Sequence, residues 1–146
     1  MKVEGSFTFD APKAKVWDLL LSPKVLADCI PGCQKLDEVG PDSYEVVMRV
    51  GVAAVSGTYT GKVVVTDKID MVSYKMIVEG RGAGGGVKGE GFLNFEDADN
   101  GGTQVSVVGD ARVTGIVARV GQRLMGNASK MLMKQFFECL QSKVAQ

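Results

Sequence analysis

The sequence contains no histidine, and this absence excludes many kinds of active site. A Ser-His-Asp triad, a Cys-His pair and any metal site with a histidine ligand are ruled out. The acidic residues offer no clear replacement. Asp97, Asp99 and Asp110 fall in or near predicted turns and on outward strand positions, where carboxylates are usually solvated. We therefore predict no catalytic residue and no metal site.

An excess of charge of one sign is also missing. The 146 residues include 17 basic and 17 acidic side chains, so the formal net charge is zero. The long-range attraction on which nucleic-acid binding usually depends is therefore absent. We expect no nucleic-acid partner.

Long apolar runs and paired cysteines are scarce as well. No stretch approaches the roughly 18 consecutive apolar residues of a membrane span, and no secretion signal follows Met1, so we expect a cytoplasmic protein. The three cysteines are odd in number, and Cys29 and Cys33 enclose a Pro31-Gly32 turn. We predict that all three are free, reduced thiols and that folding needs no disulfide.

The sequence does contain a series of short strands. A first strand ends at Asp10, two short helices follow, and Ser22 before Pro23 is a typical cap for the second helix. From Tyr44 onward, apolar and polar residues alternate with a period of two, which predicts an antiparallel meander. The residues predicted to face inward are Tyr44, Val46, Met48, Val50, Val52, Tyr59, Gly61, Val63, Val65, Val72, Tyr74, Met76, Val78, Gly89, Gly91, Leu93, Phe95, Val105, Val107, Gly109 and Ala111.

The last segment, from about Gly115 to Val144, predicts one helix roughly 45 Å long. One apolar arc is expected to face the sheet, and a basic stripe lies apart from it beside a second apolar strip. Stripe and strip together suit a membrane surface or an acidic partner; the alternatives are a solvated face and packing of Phe137 under the first helices. The arc is Val117, Val120, Leu124, Ala128, Met131, Leu132, Phe136 and Cys139; the stripe is Arg119, Arg123, Lys130 and Lys134; the strip is Met133, Phe137, Leu140 and Val144.

Because an open sheet must cover its apolar face, we predict an α+β domain spanning residues 1–146, in which a curved antiparallel sheet wraps around this helix. Glycines at inward strand positions leave several explanations open: a ligand cavity, bends in a curled sheet, or close approach of the helix. Inward tyrosines and methionines would make such a cavity apolar with a few hydroxyls, and ordinary core packing is the alternative. Candidate ligand-binding residues are Tyr44, Met48, Tyr59, Tyr74, Met76, Gly91, Leu93, Gly109, Val117, Leu124 and Met131, and candidate docking residues are Arg119, Arg123, Lys130, Lys134 and Phe137.

A glycine-rich segment, Gly80 to Gly85, has the G-x-G-x-x-G spacing of a dinucleotide site. Such a site needs a helix immediately afterwards to meet the pyrophosphate. Here Val87 to Phe95 predicts another strand, so we interpret the segment as a hairpin connection.

Several motifs together carry a family resemblance. The sequence resembles CoxG, a family of carbon monoxide dehydrogenase subunits, across essentially its whole length. The most specific pieces, in combination, are Ile-Pro-Gly-Cys and Gly-Gln-Arg-Leu. The matching residues are Pro12, Val16-Trp17, Leu20, Ser22-Pro23, Cys29-Ile30-Pro31-Gly32-Cys33, Gly57, Gly61, the Gly80 to Gly91 series, Gly121-Gln122-Arg123-Leu124 and Phe136-Phe137.

The resemblance implies a START-like (SRPBCC) helix-grip fold, as in Bet v 1, with a hydrophobic ligand cavity. It also implies a non-catalytic role beside aerobic carbon monoxide dehydrogenase or a related molybdenum hydroxylase, either carrying a quinone or recruiting the enzyme to the membrane. No covalent cofactor is expected, only a non-covalent quinone or other lipid. Longer members continue into a hydrophobic or amphipathic tail, whereas this sequence ends at Gln146, so we expect peripheral contact in place of permanent anchoring.

Two other functions stay open at this point. The protein could be an assembly or maturation partner that works through its surfaces and transports no ligand. It could also be a small enzyme of the cyclase or hydratase kind, which would need a polar group inside the cavity.

Overall fold

The computed structural model describes residues 1–51, 56–82, 84–119 and 121–145. The predicted order of strand, two helices, strand meander and terminal helix is confirmed. Val52 and Val120, both predicted to face inward, lie outside the described residues. The elements are β1 (Lys2–Phe9), α1 (Lys13–Leu20), α2 (Pro23–Cys29), β2 (Cys33–Gly40), β3 (Ser43–Val50), β4 (Gly57–Ile69), β5 (Ser73–Gly82), β6 (Gly85–Asp97), β7 (Thr103–Val113), α3 (Ile116–Arg119) and α4 (Gln122–Val144).

All seven strands form one antiparallel sheet in the order β1-β7-β6-β5-β4-β3-β2. The curved sheet packs around α4, so the predicted α+β helix-grip architecture is confirmed. The inward phase is also as predicted, since Tyr44, Val65 and Tyr74 are buried. Val72 is an exception: it lies in the turn before β5 and is 49% exposed.

Strand β2 is an element that the sequence did not predict. It pairs with β3, but register shifts interrupt the pairing between Cys33 and Lys35 and again between Glu38 and Gly40. These irregularities break the two-residue alternation on which the prediction of strands depends.

The helix α2 begins as predicted. The Ser22 hydroxyl accepts a hydrogen bond from the Val25 amide at 3.4 Å, and Pro23 occupies the first turn. Proline is well suited there because its missing N–H would have no helical partner.

The prediction that all cysteines are free is wrong for two of the three. Cys29, the last residue of α2, forms a disulfide with Cys139 of α4, with the Cα atoms 5.3 Å apart. Only Cys33 is a free thiol. The two bonded residues are 110 positions apart, and no local pattern could have paired them. An ion pair between Lys143 and Asp28, at 3.0 Å, joins the same two helices.

The single terminal helix predicted from Gly115 to Val144 is also wrong. The short helix α3 ends at Arg119, and α4 begins at Gln122 after Gly121, whose φ is +90°. A positive φ is readily adopted by glycine and strained for other residues, so Gly121 permits the break. Arg119 therefore lies on a different helix from the other stripe residues.

The predicted inward face of α4 is partly wrong. Leu124 and Met131 are 39% and 47% exposed, whereas Phe137, Leu140 and Val144 of the second apolar strip are buried. Phe137 stacks on Phe7 with ring centroids 4.0 Å apart. The C-terminal half of the helix has to cover β1 and α1, and this turns the strip toward the core.

Buried apolar residues form two clusters at opposite ends of the sheet. The larger cluster contains α1, the C-terminal half of α4 and residues such as Phe9, Trp17 and Phe95. The smaller cluster contains Val50, Val117 and Ala128. The larger cluster thus joins α1 and α4 to the sheet, and the smaller cluster joins α3 and the first part of α4 to it.

Candidate functional site

A cavity of about 350 Å³ lies between the inner face of the sheet, α2 and α4. The strands, the end of α1, α2 with the turn after it, and the middle of α4 all contribute to it. Its lining residues are Val3, Leu20, Leu21, Leu26, Ile30, Pro31, Leu36, Tyr44, Val46, Val63, Val65, Tyr74, Met76, Val78, Leu93, Val107, Ser129, Leu132, Met133, Phe136 and Phe137.

The chemistry of this lining is almost entirely apolar. Among the described residues that line it there is no charged side chain, and the polar side-chain groups are the hydroxyls of Tyr44, Tyr74 and Ser129. A charged ligand would lose its hydration there without gaining a counter-charge. The cavity therefore suits a neutral, hydrophobic molecule, and its volume falls in the range of small-molecule sites.

The two tyrosines differ in their surroundings. Burial raises the pKa of Tyr74, and the nearby Tyr44 phenol adds to this effect. Burial also raises the pKa of Tyr44. The carboxylates of Glu38 and Asp42 raise this pKa further, and the Lys68 ammonium lowers it. Tyr44 is thus influenced by the charged β2–β3 turn, while Tyr74 lies within the apolar interior.

The structure brings four of the predicted ligand-binding residues to the cavity: Tyr44, Tyr74, Met76 and Leu93. Three others, Met48, Tyr59 and Val117, lie in or against the smaller cluster near α3. Leu124 and Met131 are exposed on α4, so their predicted inward placement is wrong.

Gly91 and Gly109 were predicted to leave room for a ligand, but neither lines the cavity. They are register partners on β6 and β7. A Cβ on Gly109 would lie 2.8 Å from the Glu90 carbonyl oxygen, whereas one on Gly91 would have only an ordinary contact at 3.8 Å. Gly109 therefore allows close approach of neighbouring strands, a role that the sequence did not predict.

Sequence reasoning missed the contribution of α2 and its following turn. Leu26, Ile30 and Pro31 line the cavity together with Met133 and Phe137 of α4. The Ile-Pro-Gly turn carried a family signal but no periodic one. Met133 and Phe137 were assigned to the outer strip because two adjacent apolar faces cannot be ranked from periodicity alone.

The predicted docking residues lie mostly on the surface. Arg119, Arg123, Lys130 and Lys134 are exposed, and Lys134 approaches Glu138 at 3.8 Å. Phe137 is only 5% exposed, so its predicted place in a docking surface is wrong. Exposed apolar side chains stand among the cations instead. We call the following set the α3–α4 surface: Ile116, Arg119, Arg123, Leu124, Lys130, Met131 and Lys134.

Other kinds of site find no support in the described ranges. Within them, no group of three or more Cys, Asp or Glu side chains could hold a metal ion. No helix there is long and apolar enough to cross a bilayer. The glycine-rich segment connects β5 to β6, and its residue 83 is not described. The element that follows it is a strand, as predicted.

Comparisons with known proteins agree with this geometry. A family model for CoxG, described as a carbon monoxide dehydrogenase subunit, matches residues 5–145. The chain belongs to the CoxG family. The resemblance seen in its motifs is thereby confirmed, and CoxG proteins are by name subunits that accompany a redox enzyme. Among curated proteins, none matches this chain.

Solved structures similar to this CoxG protein support the fold. A conserved protein from Geobacillus kaustophilus is 34% identical with a TM-score of 0.96, covering 99% of this chain and 95% of that one. A START superfamily protein from Mycobacterium smegmatis has a TM-score of 0.77 at 10% identity, with coverages of 99% and 97%. The Zhui aromatase/cyclase from Streptomyces sp. R1128 has a TM-score of 0.72 at 17% identity, with coverages of 99% and 93%. The START-like fold is thus shown, and the last two likenesses extend to fold alone.

Proposed function

We propose that this CoxG protein is a non-catalytic carrier of a hydrophobic ligand, a quinone, that works beside carbon monoxide dehydrogenase or a related molybdenum hydroxylase. The observation that carries the proposal is the apolar cavity of about 350 Å³ without a charged lining residue in the described part of the chain. A quinone is neutral and largely apolar, and it is a natural electron acceptor for a redox enzyme. The ligand and the enzyme perform the redox chemistry, and the carrier keeps the bound ligand out of water.

The enzyme alternative is weaker because the described residues that line the cavity include no charged acid or base. A general base needs a pKa near the working pH. Burial moves the pKa of Tyr74 upward, away from neutrality, so its phenol keeps its proton. The likeness to an aromatase/cyclase is one of fold and does not supply the missing group.

The assembly alternative gives the cavity no role. An interior space of this size forfeits packing contacts that a filled core would make, which is a cost to stability. A ligand that occupies the space offsets that cost, so we favour the carrier.

A carrier of a membrane-soluble molecule must also meet the membrane, and we assign this role to the α3–α4 surface. Ile116 is 57% exposed, and Leu124 and Met131 are also exposed beside Arg123 and Lys130. Apolar side chains among cations are typical of surfaces that insert shallowly into anionic bilayers. This contact would be peripheral.

The decisive experiment is native mass spectrometry with lipid extraction on protein purified from its own source. We expect one neutral, quinone-type lipid bound per chain, and we expect purified partner enzyme to reduce that quinone when its substrate is supplied. Protein that carries no lipid, and that binds no added quinone, would overturn the carrier function in favour of an assembly role.

A further inference from the structure

Tyr74 lines the cavity and is one of its most buried lining residues. It is 2% exposed, and its ring packs edge-on against Trp17 at 5.5 Å and lies 5.9 Å from Phe95. Leu93 pairs with it across the β5–β6 ladder. These contacts hold the Tyr74 ring in place. The hydroxyl is the one part of the side chain that still needs a partner, namely a hydrogen-bonding group.

Within the described part of the chain, the Tyr74 hydroxyl has no hydrogen-bond partner, yet it keeps access to the cavity that the residue lines. Buried tyrosine hydroxyls normally find a partner. Thr103 illustrates the usual case: it is fully buried, and its hydroxyl donates to the Ala11 carbonyl oxygen at 2.7 Å. An unpartnered hydroxyl facing an empty apolar space indicates that a ligand supplies the acceptor.

The cavity also has a direction. Tyr44, Tyr74 and Leu93 are buried, whereas Ile30, Pro31 and Leu132 near α2 and α4 are only partly buried. We place the opening of the cavity on the side of these partly buried residues, away from Tyr74. Its 350 Å³ corresponds to about a dozen water molecules at ~30 Å³ each. That is enough for a ring system and the beginning of a tail, and the remainder of a long tail would leave through the open side.

We propose that Tyr74 is the polar anchor of the cavity, donating a hydrogen bond to a ring carbonyl of a bound quinone whose tail points toward the α2–α4 opening. This assignment rests on the proposed carrier function and adds the orientation of the ligand to it. Because burial keeps the phenol protonated, Tyr74 acts as a donor, and the partner atom must be a neutral acceptor. The rings of Trp17 and Phe95 pack against the Tyr74 ring.

The test compares two ligands of the same shape, 2-methyl-1,4-naphthoquinone and 2-methylnaphthalene, which lacks the carbonyl oxygens. Equilibrium dialysis gives the Kd of each for the wild type and for Tyr74→Phe. We expect the variant to bind the quinone about five- to tenfold more weakly, as for the loss of one hydrogen bond. Binding of the hydrocarbon should not change. Tyr59→Phe, at the other end of the sheet, is the matched control and should leave both Kd values unchanged.

Orientation is tested separately through Trp17, the single tryptophan of the chain. Trp17 does not line the cavity but packs against Tyr74 with ring centroids 5.5 Å apart, so a quinone ring held at Tyr74 should quench its fluorescence at saturation. A quinone that binds without quenching lies at the open side and overturns the orientation. Equal weakening of both ligands in Tyr74→Phe, or none, overturns the anchor while leaving the carrier function intact. Failure of the wild type to bind either ligand overturns both.

Discussion

Gly109 and Gly91 face each other across β7 and β6, and they differ only in the space beside them. We predict that Gly109→Ala lowers the free energy of unfolding by about 1–3 kcal/mol, since its Cβ would press on the Glu90 carbonyl oxygen. A Cβ at position 91 has room, so Gly91→Ala should leave the free energy of unfolding unchanged or raise it by up to about 1 kcal/mol. Urea unfolding of both variants measures the difference. Equal effects at the two positions would show that strand approach is not what requires Gly109.

Tyr74 predicts a pH dependence at the alkaline end. Burial raises its pKa in the folded protein, whereas in the unfolded chain it ionises near the ordinary value of about 10. The neutral phenol thus makes its full contribution to the free energy of unfolding below about pH 10. This contribution is lost as the pH rises toward the pKa of Tyr74 in the folded protein. In wild type the free energy of unfolding should fall more steeply above that pH than in Tyr74→Phe. Parallel pH profiles of the two proteins, followed by chemical denaturation, would contradict this.

At the scale of elements, the Cys29–Cys139 disulfide holds α2 against α4 beside the cavity. Removing it in Cys29→Ser/Cys139→Ser should lower the free energy of unfolding by about 2–4 kcal/mol. The same variant should release bound quinone faster, because Ile30 and Pro31 follow Cys29 directly on the cavity wall. Cys33→Ser removes the free thiol and is the control that should change neither quantity.

Thiol counting in denaturant checks the premise of this prediction. Protein that has not been reduced should show one reactive thiol per chain, that of Cys33. Three thiols would mean that the bond does not form in solution, and the stability difference should then vanish.

The elements that sequence predicts well are those with a strong local period. The alternation in β3 to β7 placed Tyr44 and Tyr74 on the inner face, and the Ser22 cap located α2. Non-local contacts decide the rest. The disulfide, the pairing of β2 and the rotation of α4 all depend on which distant surface each segment meets, and periodicity carries no information about that.

The candidate site was predicted in part for the same reason. Its strand residues follow from the alternation, but its α2 wall and its helical lining, including Met133, depend on how α4 turns. Two adjacent apolar faces on one helix have similar periodicity, and Phe137 was assigned to the wrong one. Packing against Phe7 decides between them.

At the scale of the whole molecule, charge and apolar exposure coincide on the α3–α4 surface. The net charge is zero, so attraction to an anionic bilayer depends on how charge is distributed. We predict that Arg123→Glu/Lys130→Glu abolishes co-sedimentation with vesicles that contain anionic lipid, while quinone binding in the cavity is retained. The wild-type interaction should also weaken with salt, since the Debye length falls from about 10 Å at 0.1 M to about 3 Å at 1 M.

The matched control reverses the same number of charges on the outer face of the sheet, in Lys62→Glu/Lys88→Glu, where both side chains are exposed. This variant has the same net charge as the first, so any difference between them reports the position of the cations. If both variants lose vesicle binding equally, net charge alone governs the contact and the α3–α4 surface is not the docking site. If neither loses it, the exposed apolar residues carry the interaction, and Leu124→Ser/Met131→Ser should then abolish it, because removing those side chains takes away the area that enters the bilayer.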